Sequence, residues 1–252
     1  MVWAALPFEQ PQRDFLKRVL GLRSSCPTYT LMWETGRFPV LHASILRLLS
    51  YHNRVMALPT DRLLRRQYLQ DLEDPKAPLR QFLKSLQLEA DLARPIPLET
   101  IRDSLHHSYS ELLIAGITGP TAGSHHHTYA SWKSPFGWLT EIEPNPSFSI
   151  SDIRTLARFR LSCHSLPVVT GAWAKPLIPR AGRCCPHCPG IVGDEDHFLF
   201  HCPHITPARL QFPELPYYTK DRRAMSDNPY LFARFLRHAL PLGEHRLDQD
   251  AE

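Results

Sequence analysis

Four cysteines and three histidines lie within nineteen residues, from Cys184 to Cys202, in the stretch CCPHCPGIVGDEDHFLFHC. The whole chain contains only six cysteines. Thiolates and imidazoles are the side chains that zinc prefers as ligands, and paired cysteines can also carry thiol–disulfide chemistry. The stretch is therefore a candidate for a metal site or for a redox dithiol.

The spacing of four of these residues favours the metal site. Cys185, Cys188, His197 and Cys202 form the pattern C-x2-C-x8-H-x4-C. A two-residue gap lets one tight turn direct both thiolates at a single ion, and the eight-residue gap lets the chain reverse and close a tetrahedron. Four ligands with no open position predict a structural Zn²⁺ rather than a catalytic one.

Two of the ligands have competing neighbours. Cys184 could replace Cys185 at a three-residue spacing, and His201 could replace Cys202, which would pair it with His197 one helical turn away. We favour Cys185 because the shorter gap closes the turn better. We favour Cys202 because a thiolate gives the stronger bond to zinc.

The same residues allow other interpretations. The sequence C-P-H-C at Cys185–Cys188 is the dithiol of strongly oxidising thioredoxin-like proteins, whose first cysteine begins a helix. Here Pro189 and Gly190 follow at once and indicate a turn where that helix would run, so a dithiol oxidoreductase is disfavoured. Gly193–Asp196 (GDED) is interpreted as the polar loop in which the chain reverses.

The composition predicts a folded protein made of short helices. The chain has 252 residues, of which 43% are hydrophobic and 21% charged, and its 24 prolines argue against a long regular sheet. It has no stretch of the ~20 apolar residues that a membrane span needs. The start MVWAALPFEQ lacks the pattern of a signal peptide. We expect an intracellular protein of the nucleus or cytoplasm, with no membrane partner, in which clustered cysteines bind metal.

The periodicity of apolar residues predicts a mainly α fold with a helical N-terminal unit, a small irregular zinc-binding module and a C-terminal helix. The helical unit covers residues 1–115, and Gly116 is placed as the cap that ends its last helix. A Gly/Pro/His-rich linker follows over 116–150. The zinc-binding module covers 151–205 and begins with a helix capped by Ser151 or Asp152. The C-terminal helical tail covers 206–252.

Charge is unevenly distributed along the chain. Residues 151–185 contain six Lys or Arg and only one acidic residue, Asp152. Such a block suits a polyanionic partner, although solvated helix faces have the same composition. The sequence contains no P-loop, GxGxxG, G-x-S-x-G or HExxH motif, so we expect no catalytic activity.

Three segments together resemble the zinc-binding region that follows the polymerase in LINE-type (non-LTR) retrotransposon reverse transcriptases. They are IRTLARFRLSCHSLPVVTGAW, IPRAGRCCPHC and VGDEDHFLFHCP, which match an R-F-R-x-x-x-H-x-L segment, a C-x2-C pair and a GDExHFLxxCP segment. The N-terminal part is similar to the helical region after the polymerase, where a G-x-x-P tetrad, here Gly36–Pro39, precedes a long helix.

This resemblance implies a function. In the family, the zinc region is thought to hold element RNA or target DNA. The resemblance also implies a polymerase on a separate chain as a possible partner. The implied zinc ligands are Cys185, Cys188, His197 and Cys202, and the implied phosphate contacts are Arg154, Arg158, Arg160, Arg180 and Arg183. The Y/F-x-D-D carboxylates of a polymerase are absent from the sequence, so neither polymerase nor endonuclease activity is carried over. The alternative is a zinc-stabilised protein-interaction module, or a decayed reading frame, without affinity for nucleic acid.

Overall fold

The structure, a computed structural model, describes residues 9–85, 92, 94–119, 128–142, 146 and 148–243. Within these ranges the protein is mainly helical, and its strands form a two-stranded antiparallel hairpin. A small irregular Cys/His cluster lies in the C-terminal half and is followed by a helix. The predicted mainly α fold is confirmed. None of the helices described is long and apolar enough to cross a membrane.

The first half of the chain is built from helices. Their bounds are α1 (Gln10–Val19), α2 (Thr28–Thr35), α3 (Val40–Met56), α4 (Leu63–Glu73), α5 (Pro78–Ser85) and α6 (Leu98–Thr118).

The second half combines shorter helices with the hairpin. The elements are α7 (Trp138–Glu141), α8 (Ile150–Arg160), α9 (Pro167–Trp173), β1 (Cys184–Cys185), β2 (Cys188–Val192), α10 (Thr206–Leu210), α11 (Arg222–Ser226) and α12 (Pro229–Gly243). A π-helical segment covers His197–His201, and 3-10 turns cover Arg180–Gly182, Pro203–Ile205 and Tyr217–Thr219.

The residues group into two compact units. The first comprises the described parts of Met1–Gln12 and Phe38–Leu112. Its core includes Ile45 and Leu49 of α3, both 0% exposed. Asn53 of α3 accepts a hydrogen bond from the backbone N–H of Ile96 (2.7 Å) and donates one to its carbonyl (2.8 Å). This side chain therefore fastens the loop before α6 to α3.

The second unit comprises Arg13–Arg37 and the described parts of Leu113–Glu252. Its core forms where α8 packs against α12, because both helices present large apolar side chains to the same space. The rings of Phe159 and Phe232 meet edge to face with centroids 6.0 Å apart, and Trp132 packs on both. Asp152 and Arg237 form an ion pair of 2.9 Å between the two helices.

The sequence predicts four segments, 1–115, 116–150, 151–205 and 206–252. These boundaries stay a prediction. The predicted linker, 116–150, falls partly outside the described residues, since 120–127, 143–145 and 147 are not among them. Within its described part, Trp132 is only 1% exposed and belongs to the core of the second unit.

The sequence pattern predicted that Gly116 ends α6, and this prediction is wrong. The helix continues to Thr118, and Gly116 lies inside it. A Cβ atom at this position would be 2.5 Å from Cγ of Tyr29, closer than any real contact allows. The absence of a side chain at Gly116 therefore allows the ring of Tyr29 to pack directly against the helix.

The helix that opens the predicted zinc module begins slightly earlier than expected. Its N-cap is Ser149, not Ser151 or Asp152. The Ser149 hydroxyl accepts a hydrogen bond from the backbone N–H of Asp152 (3.2 Å), and the Asp152 carboxylate accepts one from the backbone N–H of Ser149 (2.9 Å). This reciprocal capping box fixes the start of α8.

Candidate metal centre

The β-hairpin positions the first two cysteines. Cys185 ends β1 and Cys188 begins β2, and the two are paired across the antiparallel ladder. The connecting residues, Pro186 and His187, form the tight turn that the C-x2-C spacing predicts. Gly190 has φ +79°, a conformation that L-residues rarely adopt, and lets the strand leave the turn.

The second pair of cluster residues comes from the segment after the hairpin. His197 begins the π-helical segment and Cys202 follows its end. The Asp194 carboxylate accepts a hydrogen bond from the backbone N–H of His197 (3.0 Å), and the N–H of Cys202 donates to the His197 carbonyl (2.7 Å). The π-helical segment and these two hydrogen bonds therefore hold His197 and Cys202 close together.

The four side chains converge on one point. Their ligand atoms, the three Sγ and one imidazole nitrogen, all lie within 4.8 Å of one another. The Sγ of Cys202 is 3.9 Å from that of Cys185 and 3.8 Å from that of Cys188. Sulfurs at the corners of a zinc tetrahedron, with bonds of about 2.3 Å, are about 3.8 Å apart. A disulfide would need about 2.05 Å, and all four cysteines of the stretch are free thiols.

His197 supplies an independent sign that an ion fits here. The side chain is buried, with 8% of the residue exposed, and its Nε2 atom has no hydrogen-bond partner among the described residues. Burial lowers the pKa of His197 and so favours the neutral imidazole. A neutral ring nitrogen with a free lone pair is what a metal ion requires, and coordination would remove the cost of burying it unpaired.

The thiols of the cluster resist ionisation without a cation. Desolvation and the neighbouring Cys202 and Cys185 thiols raise the pKa of Cys188 to about 11, and desolvation raises the pKa of Cys185. Redox-active dithiols need the opposite shift. A bound cation would reverse this balance and hold the sulfurs as thiolates. The chemistry of the cluster therefore favours metal coordination over the dithiol alternative.

The competing neighbours do not belong to the cluster. The Cys184 thiol is directed at the carbonyl of Ala181, at 3.5 Å, and is half-buried. His201 is exposed at the end of the π-helical segment. The four residues favoured by spacing, Cys185, Cys188, His197 and Cys202, are thus the group that could hold a metal ion.

Arg209 is a supporting residue that sequence reasoning missed. From α10 its guanidinium donates hydrogen bonds to the carbonyls of Phe198 (3.2 Å), Leu199 (3.3 Å) and Cys202 (2.5 Å). These carbonyls lie between and beside the last two cluster residues, so Arg209 fixes the backbone that presents them. Three thiolates and one divalent ion would together have a net charge of −1. The positive charge of Arg209 lies near this site and would partly balance it.

His164 and Glu195 form a second buried support. His164 Nε2 and Glu195 Oε1 are 2.9 Å apart, and both side chains are almost completely buried. Burial opposes the charge of Glu195, but the hydrogen bond to His164 and the nearby charges of His164 and Arg222 outweigh it and lower the pKa to about 2. Part of the GDED segment is therefore core, which corrects its interpretation as a purely polar loop.

The structure corrects the prediction that Arg160 contacts phosphate. Its side chain is 0% exposed and donates from Nε to Glu34 Oε1 (2.5 Å) and from Nη1 to the Ser226 hydroxyl (2.6 Å). The guanidinium also lies over the ring of Trp138, 3.8 Å from its centroid. Every face of the group is engaged inside the core, so it does not reach a ligand in solvent.

The other four arginines have mixed surroundings. Arg158 is exposed on α8, and Arg154, one turn earlier, is exposed with Nε bonded to the Val19 carbonyl (2.7 Å). Arg180 is exposed and pairs with Asp194 at 2.9 Å. Arg183 is half-buried and donates to the carbonyls of Ile178 (2.8 Å) and Val168 (2.9 Å). Arg154, Arg158 and Arg180 are therefore accessible, whereas Arg183 mainly holds the chain around the hairpin.

Comparisons with known proteins give no assignment. No protein-family model, curated protein or solved structure matches this chain.

Proposed function

We propose that Cys185, Cys188, His197 and Cys202 bind one structural Zn²⁺, and that the module so stabilised binds RNA or DNA without sequence preference. We further propose that the chain derives from the C-terminal region of a LINE-type reverse transcriptase, with a polymerase in trans as a partner. The observation that carries the zinc proposal is the cluster itself, whose sulfur separations of 3.8 and 3.9 Å fit a tetrahedral zinc site.

The donor set supports zinc over other ions. Three thiolates and one imidazole are soft and borderline ligands, which disfavour magnesium and calcium and suit zinc. Zinc would act there as a crosslink between the hairpin and the segment His197–Cys202, holding two pieces of chain that contain little regular structure. The proposal includes no catalytic step.

Zinc content measured by elemental mass spectrometry on the 252-residue chain tests this assignment. We expect one zinc per chain in the wild type, and its loss in Cys185→Ser and His197→Ala. Cys184→Ser and His201→Ala are the matched controls, because each removes a neighbouring residue of the same type outside the cluster, and both should retain zinc. A wild-type protein that neither contains nor takes up zinc would refute the site.

The nucleic-acid part of the proposal is supported by charge. Residues 153–193 contain six Lys or Arg and no Asp or Glu. Phosphate contacts from such residues position a nucleic acid without reading its sequence, and their binding energy comes from counterion release. Arg154, Arg158 and Arg180 are the accessible arginines that we assign to this role.

Fluorescence anisotropy with labelled RNA and DNA oligonucleotides at several salt concentrations tests this role. We expect affinity to fall steeply with salt, and Arg158→Gln to reduce the slope of log K against log[salt] by about 1. Arg234→Gln, which alters an exposed arginine of α12, is the control and should leave the slope unchanged. Binding that ignores salt, or no binding, would contradict the proposal.

A second candidate is a zinc-stabilised protein-interaction module. The observation that favours it is the structural use of two of the five predicted phosphate contacts, Arg160 and Arg183. This candidate predicts zinc-dependent stability and no affinity for either nucleic acid in the same titration.

A further inference from the structure

The segment that leads from α9 to the hairpin is folded into a compact loop. The N–H of Ile178 donates to the Gly171 carbonyl (3.2 Å), and Arg183 donates to the Ile178 carbonyl (2.8 Å). A Cβ at Gly171 would be 2.6 Å from Cγ of Arg183, so the arginine stem lies directly on the glycine. The 3-10 turn Arg180–Gly182 in turn contacts β2. The loop is therefore braced against the candidate metal hairpin.

This braced loop exposes large apolar side chains. Trp173 is 46% exposed, Leu177 65% and Ile178 38%, and Ile191 on β2 is 51% exposed. We call Trp173, Leu177 and Ile178 the Trp173 surface. A disordered loop could carry such residues at random, but here the backbone that presents three of them is held by side-chain and main-chain hydrogen bonds. The exposure is thus a fixed property of the fold.

The chain segment that contains the Trp173 surface has charge of one sign. Lys175 and Arg180 lie within the loop, and no acidic residue occurs between positions 153 and 193. The next acidic residue, Asp194, is engaged by Arg180 (2.9 Å) and by the backbone N–H of His197 (3.0 Å). A ligand for this surface must therefore bring negative charge together with flat apolar groups.

We infer that the Trp173 surface binds single-stranded nucleic acid, with bases stacked on Trp173 and packed against Leu177 and Ile178. This inference rests on the proposed function and specifies its ligand. Unpaired RNA or DNA offers phosphates for Lys175 and Arg180 and open base faces for the indole, whereas a duplex keeps its base faces inside the stack. A protein partner would gain from acidic groups on this surface to pair with its own cations, and residues 153–193 offer none.

The test is a set of anisotropy titrations on the zinc-loaded 252-residue chain. The probes are labelled single-stranded RNA and DNA of about 20 nucleotides, long enough for one binding site, and the matching duplexes. We expect Trp173→Ala to weaken single-strand binding about 10-fold, since it removes the ring on which one base stacks, and to leave duplex binding unchanged. Trp173→Phe should restore most of the single-strand affinity because phenylalanine also stacks.

Tyr218→Ala is the matched control. Tyr218 is an aromatic residue that is 88% exposed on another turn, so its loss should not alter binding. Quenching of tryptophan fluorescence by the single strand should be larger in the wild type than in Trp173→Phe, a difference that a purely structural role of Trp173 would not produce. Zinc content and circular dichroism of each variant verify that it is folded.

The outcomes separate this inference from the proposed function. Equal binding of single strands and duplexes that Trp173→Ala does not change would overturn the inference and leave the arginine-based function intact. No binding of any probe would overturn both. Light scattering that shows a dimer abolished by Trp173→Ala, with no effect on nucleic acid, would assign the Trp173 surface to a second copy of the chain and also overturn the inference.

Discussion

The imidazole of His164 and the carboxylate of Glu195 share a hydrogen bond of 2.9 Å between side chains that are 1% and 2% exposed. His164 lies just after α8 and Glu195 lies in the loop that joins the two pairs of candidate zinc ligands. The bond thus connects the metal loop to the core of the second unit. Glu195 lies two residues before His197, so this bond is made close to a candidate metal ligand.

We predict that removing either partner destabilises the protein strongly. His164→Ala and Glu195→Leu should each cost about 3 kcal/mol, because each leaves the other group buried without its hydrogen-bond partner. The double variant should lose little more than one single variant, so a double-mutant cycle should give a coupling energy of about 2 kcal/mol. Urea denaturation of the zinc-loaded protein measures these values. Glu214→Gln, at an exposed site, is the control, and additive losses would argue against the pair.

Arg209 should tune metal affinity without being a ligand. Arg209→Ala removes three hydrogen bonds to the carbonyls that position His197 and Cys202, so we expect zinc affinity to fall about 10- to 100-fold. Arg209→Lys keeps the charge but not the forked donors and should recover only part of the affinity. Competition with a chromogenic chelator measures the change. Unaltered affinity in Arg209→Ala would exclude this role.

The stability contributed by Asp152 should depend on pH. Burial opposes its charge, but hydrogen bonds from Ser149 and Arg237 outweigh this effect and lower its pKa below the ordinary value. A lowered pKa means that the stabilisation is complete above the ordinary pKa of about 3.9 and is lost progressively below it, as the pH falls through the lowered pKa of the folded state. Asp152→Asn should therefore destabilise by about 1 kcal/mol at neutral pH and progressively less near pH 3.

Urea denaturation of wild type and Asp152→Asn across this pH range provides the measurement. Acid-induced loss of metal affects both proteins alike, so the difference between them isolates the carboxylate. A difference that grows as the pH falls would contradict the assignment.

Gly116 offers a test in which helix propensity and packing have opposite signs. Alanine at an exposed helical site stabilises by about 1 kcal/mol relative to glycine. At position 116, however, its Cβ would be 2.5 Å from Cγ of Tyr29. We expect Gly116→Ala to destabilise by about 1–3 kcal/mol, the usual cost of overpacking. Thermal denaturation measures it, with Ser108→Ala on the exposed face of α6 as the control that should be neutral or slightly stabilising.

The sequence was most informative where the determining residues are close together in the chain. The C-x2-C turn is a local feature, and the structure has a two-residue turn at that place. Helices such as α3 and α12 repeat apolar residues at helical spacing, and Phe232, Phe235 and Leu236 of α12 are 0% exposed as that period requires.

The features that the sequence did not reveal depend on residues far apart. Helix α2 escaped the periodicity because its buried face includes Glu34 and Thr35, which count as polar in any hydrophobic pattern. Glu34 is tolerated there because Arg160 neutralises it from 126 positions away. From the sequence alone, Arg160 cannot be distinguished from the other basic residues of 151–185, because its partner Glu34 is distant in the chain.

The buried pair of Arg160 and Glu34 makes the second unit a candidate for splitting into two chains. Divided after Gly119, the protein would leave Leu31 and Glu34 in one fragment and Arg160 with the candidate zinc ligands in the other. Neither fragment would contain the complete core of the second unit, and the second fragment would bury the Arg160 guanidinium without Glu34. Produced together, the fragments should find each other through these surfaces, so that recovery of bound metal would report on noncovalent reassembly of the protein.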